Sequence, residues 1–376
     1  MIELSGEQKD IRQAAREFAE GEFTDIAFEC DEKETYPGEV LRKACKSGFI
    51  GVFIDERYEG AGLGMLEYAL ILEEFWRVDP GCGNISLSTL GSEFIQDYGN
   101  ESQKEKYLTP LAKGTAIMGI PTTEDHAESF RYARNNGDGY VLNGSNNFVF
   151  NGNQADHLII VAQEIAADGG NTGRFSTFVI DKRIEGVKTR RFSDKLGIRA
   201  SDVAELALED VCLPSINLVG MEGKGMDQLD AFLDRLCIYN SAQAVGASQA
   251  CLERAIKYSR QRVQFGHPIG WFQLIQLKIA EMATRIEAAR NFCYGAARGF
   301  DLGKRDRKAL SMASWFARET AGIVTAETLQ IHGGYGYMKD MDIERFYRDV
   351  QFLEFFGTSR EKEKMRVALD ALGRTE

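Results

Sequence analysis

The chain changes its hydrophobic period twice, and that order restricts its fold more than any single motif. From about Gln8 to Lys113 apolar residues recur at helical spacing: Ile11, Ala15 and Phe18, then Leu66, Ala69, Leu70, Leu72 and Phe75. Residues three and four apart share one face of an α-helix, so this stretch predicts helices. From about Ile117 short β-rich runs take over, at 140–144, 148–152, 157–161 and 176–180. The Asn143-Gly144 and Asn151-Gly152 pairs are expected to form turns, because both residue types tolerate positive φ. The strand-rich segment ends near Leu213-Pro214. Helical spacing then returns, with Leu229, Phe232, Leu233 and Leu236, and later Ile275, Ile279, Met282 and Ile286. No proline follows Pro268, so ring sterics break no helix beyond it, and Gly303 and Gly333-Gly334 punctuate that region. At roughly 150 residues per domain, 376 residues make two or three domains. The pattern predicts a helical unit over 1–116, a β unit over 117–220 and a helical unit over 221–376.

Charge narrows the function. Lys and Arg total 45 against 57 Asp and Glu, a formal charge of −12. Phosphate attraction would run backwards on such a surface, which excludes general binding to nucleic acid or anionic membrane. A local basic pocket for one phosphorylated ligand is still allowed. No apolar run reaches the roughly 18 residues of a membrane span. The N-terminal stretch is amphipathic and acidic without a secretory pattern, which predicts a cytoplasmic protein. The seven cysteines are scattered and form no CxxC, and the four histidines include no HExxH. No metal site is therefore expected.

Familiar motifs are absent. Gly60-Ala-Gly-Leu-Gly64 is not GxGxxG and follows no clear strand, so a turn is expected there. Gly220-Met-Glu-Gly-Lys-Gly225 lacks the spacing of a P-loop and reads as the entry to a helix. There is no GxSxG elbow.

Longer segments carry a resemblance. Arg262-Val-Gln-Phe-Gly-His-Pro-Ile269 with Phe272-Gln-Leu-Ile-Gln276, and Gln330-Ile-His-Gly-Gly-Tyr-Gly-Tyr337 followed by Glu344-Arg-Phe-Tyr-Arg-Asp349, resemble the flavin-binding signatures of acyl-CoA dehydrogenases. Leu196-Gly-Ile-Arg-Ala-Ser201 with Glu209-Asp-Val-Cys-Leu-Pro214 is similar to the segment that closes the family's β domain. Tyr58-Glu-Gly-Ala-Gly-Leu-Gly64 and Gln103-Lys-Glu-Lys-Tyr-Leu108 are similar to its N-terminal helical domain. The likeness implies an α+β fold: an N-terminal helical domain, a middle antiparallel β-barrel or sandwich, and a C-terminal four-helix bundle. It also implies FAD, an acyl-CoA substrate, a homotetramer and electron-transfer flavoprotein as redox partner.

By that resemblance Arg262 clamps the FAD pyrophosphate, for which a planar guanidinium fork is suited. Phe265 packs on the cofactor and Gln273 bonds its ribose or adenine. These residues, with Gln330 and Gly334, reach the flavin of a neighbouring subunit. Thr122, Thr123, Phe148, Phe150 and Thr358 fall at the isoalloxazine side. Asp234 falls where relatives place an acid that bonds pantetheine, with a solvated helix acid as the alternative.

The chain departs from the pattern in three places. The glycine-rich loop expected after Thr-Glu is missing from Thr123-Glu-Asp-His-Ala-Glu-Ser129. The usual Trp-Ile-Thr strand reads Phe148-Val-Phe150, which keeps stacking and loses a hydroxyl. The glutamate that removes the substrate α-proton is absent: Phe356 precedes Gly357-Thr358, and the alternative position on the preceding long helix is Leu236, followed by Cys237 where relatives carry arginine. Glu354 is the nearest carboxylate along the chain, and a surface acid is its competing reading. Neighbouring Phe355 and Phe356 are expected to desolvate it. Glu93 and Asp125 are further pocket candidates, and His126 could titrate near neutral pH. The expected activity is FAD-dependent oxidation or reduction at the α,β carbons of an acyl thioester, on a cyclic or branched acyl group, with a displaced proton acceptor. The alternative is a non-redox CoA-ester enzyme or a catalytically quiet CoA-binding protein on the same scaffold.

Overall fold

The computed structural model describes residues 2–121, 131–166 and 168–374. Seven helices come first: α1 (Gly6–Phe23), α2 (Ala27–Lys33), α3 (Gly38–Lys46), α4 (Met65–Val78), α5 (Pro80–Gly83), α6 (Ser92–Tyr98) and α7 (Glu101–Ala112). Local chemistry sets their starts. Ser5 and Gln8 form a reciprocal capping box on α1. Asp301, far along the chain, accepts from Met65 N and Leu66 N at 2.7 and 3.1 Å, so the start of α4 is capped from the C-terminal bundle.

Seven strands follow: β1 (Met118–Pro121), β2 (Arg131–Asn135), β3 (Gly139–Phe150), β4 (His157–Ile165), β5 (Asn171–Asp181), β6 (Val187–Arg191) and β7 (Val203–Pro214). They form one sheet in the order β1-β4-β2-β3-β7-β6, with β5 on β4 and β1 also on β3. Most ladders are antiparallel, but β4 pairs parallel with both β1 and β2, an addition to the antiparallel expectation. Asn143-Gly144 corrects a second expectation. It lies inside β3, where the pairing to β7 slips between Leu142 and Gly144, so it makes a bulge rather than a hairpin turn. Asn143 fixes that bulge by exchanging side-chain hydrogen bonds with Asp210. Asn151 does turn, at φ 58°, and its buried amide donates to Leu87 O and Met118 O. That amide ties the sheet to the N-terminal helices.

The last part holds α8 (Gly225–Gln261), a two-stranded hairpin of β8 (Val263–Gln264) and β9 (His267–Pro268), then α9 (Gln273–Asp301), α10 (Arg307–His332), α11 (Ile343–Asp349) and α12 (Arg360–Ala371). The long α8 packs against α4, α9 and α10. Its Gly246 permits the close crossing with α4, since a Cβ there would sit 2.2 Å from the Glu73 carbonyl oxygen. One apolar core joins the helices to one side of the sheet, and a second core lies within the β unit around Leu142, Leu158 and Phe178. Among the described residues no helix is long and apolar enough to cross a membrane.

Candidate functional site

The residues expected to hold FAD lie at the open end of α8 and α10. Arg262 follows the last residue of α8 with its N–H still bonded to Tyr258 O at 2.8 Å. Its side chain is exposed, lies over the Tyr335 ring at 5.7 Å and makes no ion pair among the described residues. α10 ends at Gly333, where φ is 58°, a conformation that favours glycine. A Cβ on Gly333 or Gly334 would meet nothing within 4 Å, so the backbone here faces open space. Arg262, Gln264, Gly333, Gly334 and Tyr335 line a cavity of about 400 Å³. An unpaired guanidinium beside bare glycine backbone fits a pyrophosphate.

The hairpin tip carries Phe265, at φ 53° and 89 % exposed. Gln273 and Gln330 are exposed as well. None of these three packs into the chain's own core, a placement compatible with a ligand or surface outside the single chain.

Around Phe148 and Phe150, expected at the isoalloxazine side, the described residues are aromatic. Phe148 is 42 % exposed and stacks with Phe192 at 5.6 Å between ring centroids, and Phe355 lies 5.9 Å away. These rings, with Lys195 and Phe352, line a cavity of about 260 Å³. Phe150 is buried and meets Phe352 at 5.8 Å and Phe356 at 5.6 Å. The two departures noted in the sequence, at 150 and 356, therefore touch one another. The third apolar substitution joins them: Gly357 approaches Leu236, and Asn240 of α8 donates to Phe356 O at 2.7 Å. Thr358 is buried. Thr122, Thr123, Asp125 and His126 lie outside the described residues.

Glu354 ends a short 3-10 turn, Val350–Glu354. It pairs with Arg360 Nε at 2.7 Å, and both side chains stay about a third exposed. Phe356 is fully buried and Phe355 half exposed. The apolar enclosure expected around Glu354 is thus not formed; a cation and solvent surround it instead.

The two acids expected on the substrate side are both buried and both partnered. Asp234 accepts from Arg305 Nε at 2.5 Å and Arg307 Nε at 3.3 Å, one guanidinium from the connection before α10 and one from its first residue. Glu93 opens α6 and accepts from Gly91 N at 2.7 Å and the Tyr239 hydroxyl at 2.9 Å. Burial holds its carboxyl above the usual range. Neither is a solvated helix acid. Arg305, Arg307, Tyr239 and Arg318 were not singled out from sequence, although an arginine at 318 among Ser314, Ala317 and Ala321 on a helical face is a signal of a buried charge.

Comparison with known proteins agrees with this geometry. Residues 5–115, 121–211 and 223–371 match in turn the acyl-CoA dehydrogenase N-terminal, middle and C-terminal domains. The chain is 37% identical over 371 residues to a 3-(aryl)acrylate reductase of Clostridium sporogenes, covering 96% of this chain and 97% of that one. It is also 37% identical over 382 residues to an acyl-CoA dehydrogenase of Bacillus subtilis, covering both chains in full. The solved butyryl-CoA dehydrogenase of Megasphaera elsdenii superposes with a TM-score of 0.93 at 34% identity over the whole of both chains. The chain belongs to the acyl-CoA dehydrogenase family, the FAD-binding flavoenzymes that act on the CH–CH bonds of acyl-CoA thioesters.

Proposed function

We propose that this chain is an FAD-dependent oxidoreductase acting at the α,β carbons of a cyclic or branched acyl-CoA, with its proton acceptor displaced from position 356. One contrast supports the reading. The phosphate end of the cofactor site, Arg262 with Gly333 and Gly334, is unpaired and open. The end that carries proton chemistry in relatives is filled by Phe150, Phe352 and Phe356. The chain thus keeps a flavin cradle while the acceptor has moved.

When bound, FAD supplies the hydride exchange with the β carbon. Every other task falls to the protein. Arg262 holds pyrophosphate, Gln273 bonds the ribose or adenine and Phe265 packs on the cofactor, and these three, with Gln330 and Gly334, reach the flavin of a neighbouring subunit. Phe148 covers the ring, Phe150 replaces a polar contact with packing, and Thr122, Thr123 and Thr358 bond its edge. The aromatic wall excludes water, which strengthens any hydrogen bond to the thioester oxygen. Glu354 accepts the α-proton after leaving Arg360, while Asp234 and Glu93 shape the acyl-CoA channel.

A homotetramer is part of this reading. Phe265, Trp271, Leu274, Leu277 and Tyr337 are each more than half exposed, an apolar surface suited to a second copy. Electron-transfer flavoprotein as redox partner and a cytoplasmic location follow from the same reading. The direct test of the cradle is purification with flavin analysis. FAD is expected at one per chain, and folded protein that takes up no added FAD would overturn the proposal. A second reading, a catalytically quiet CoA-binding subunit, is favoured by the Phe150–Phe356 contact alone; it predicts bound acyl-CoA without flavin reduction.

A further inference from the structure

We infer that Arg318 positions the turn from Leu353 to Thr358 and so sets where Glu354 and Thr358 stand. The turn has little secondary structure of its own, and its carbonyls must find donors from elsewhere. One nitrogen of Arg318, Nη1, donates to Leu353 O and to Thr358 O, both at 3.0 Å. Those carbonyls lie at the two ends of the turn, so a single donor fixes the distance between its ends. The other nitrogen, Nη2, pairs with Glu363 of α12. Arg318 and Glu363 are both almost wholly buried, and Cys237 lies 3.5 Å from the second carboxylate oxygen. Burial raises the Glu363 carboxyl pKa, while Arg318 opposes that shift.

Stability does not explain such a pair, because a well-packed apolar replacement of a buried ion pair is often neutral or better. The two carbonyls do explain it. Only a planar fork reaches three acceptors in these directions at once. A lysine ammonium can meet Glu363 or the carbonyls, but cannot occupy both nitrogen positions. Asn240 adds a third anchor, from α8, on Phe356 O. The turn is therefore held from inside the helical bundle, from α10 and α8, before any ligand arrives.

The inference rests on the proposed function only for the meaning of the turn, so its test reads the protein in two independent ways. In Arg318→Lys the ion pair survives and the fork is lost. Amide hydrogen exchange across 350–359 should quicken roughly tenfold while the melting temperature moves by less than about 3 °C. In the FAD-loaded protein, flavin should dissociate roughly tenfold faster, through Thr358. If Arg318→Lys does not fold, Arg318→Met with Glu363→Leu removes both charges and should show the same local exchange. Unchanged exchange across 350–359 in the folded variant overturns the inference, as does unchanged flavin dissociation. Wild-type protein that binds no FAD would overturn the function above and leave the exchange experiment to decide this one.

Discussion

Replacing Glu354 by glutamine separates a catalytic role from a structural one, because the structure assigns very different sizes to the two. The carboxylate pairs with Arg360 at 2.7 Å, with both side chains about a third exposed. A pair so open to water contributes roughly 0–1 kcal/mol. Glutamine keeps the shape and one acceptor oxygen, so the melting temperature should fall by no more than about 2 °C. Loss of a positioned proton acceptor is larger, roughly 10²- to 10⁴-fold in rate, or about 3–5 kcal/mol of barrier. The assay is anaerobic stopped-flow of FAD-loaded protein with the acyl-CoA that reduces wild type fastest, read at the oxidised flavin band. We expect Glu354→Gln to retain FAD and lose at least a hundredfold in the reduction step. A variant that reduces its flavin at the wild-type rate refutes Glu354 as the base. Glu93 and Asp125 would then be replaced in the same way, and wild-type rates in all three would exclude a relocated carboxylate among them.

Arg262→Ala should release FAD readily yet leave the melting temperature of the FAD-free protein within about 1 °C, since among the described residues the side chain makes a cation–π contact and no ion pair; tight FAD retention in a dialysis assay would contradict the clamp. Phe265→Asp places a charge on the hairpin tip, where 89 % of the residue is exposed, and should shift the assembly to smaller species by light scattering without unfolding the chain; an unchanged mass would remove the tip from the interface. Burial, with Asp79 and Asp31 nearby, pushes the Asp349 carboxyl up to about 8, and burial beside Glu73 pushes Glu74 up to about 7. Both groups bind their protons more tightly folded than unfolded, so the stability that these two contribute is full below the unfolded carboxylate range and is lost as pH rises through about 7 and 8. The melting temperature should therefore fall across that window, and Asp349→Asn should flatten the fall; an identical slope in the variant would contradict the assignment.

The order of helices, sheet and helices was legible because hydrophobic period is a local property, and the family because its signatures are long and sequential. What was not legible depended on partners far along the chain. Asn143-Gly144 has the chemistry of a hairpin turn, but Asp210, 67 residues away, holds it as a bulge inside β3. Parallel pairing of β4 with β1 and β2 leaves no mark on alternation, since period 2 is the same in either direction. Asp234 lies on α8 as its helical spacing suggests, yet Arg305 and Arg307, which satisfy it, come 71 and 73 residues later. The Phe148-Val-Phe150 and Phe356 departures were visible singly, whereas their contact at 5.6 Å was not. Phe355 and Phe356 follow Glu354 in sequence, but the chain leaves the 3-10 turn at Glu354 so that Phe356 is buried while Phe355 is half exposed.

The most direct test of the proposed activity is anaerobic mixing of the FAD-loaded protein with a panel of straight, branched and cyclic acyl-CoA thioesters, followed by their α,β-unsaturated counterparts on the reduced protein. The account predicts that at least one saturated thioester bleaches the oxidised flavin band, or that at least one unsaturated thioester restores it, with cyclic or branched members fastest. Bound FAD that no saturated thioester reduces and no unsaturated thioester reoxidises would contradict it.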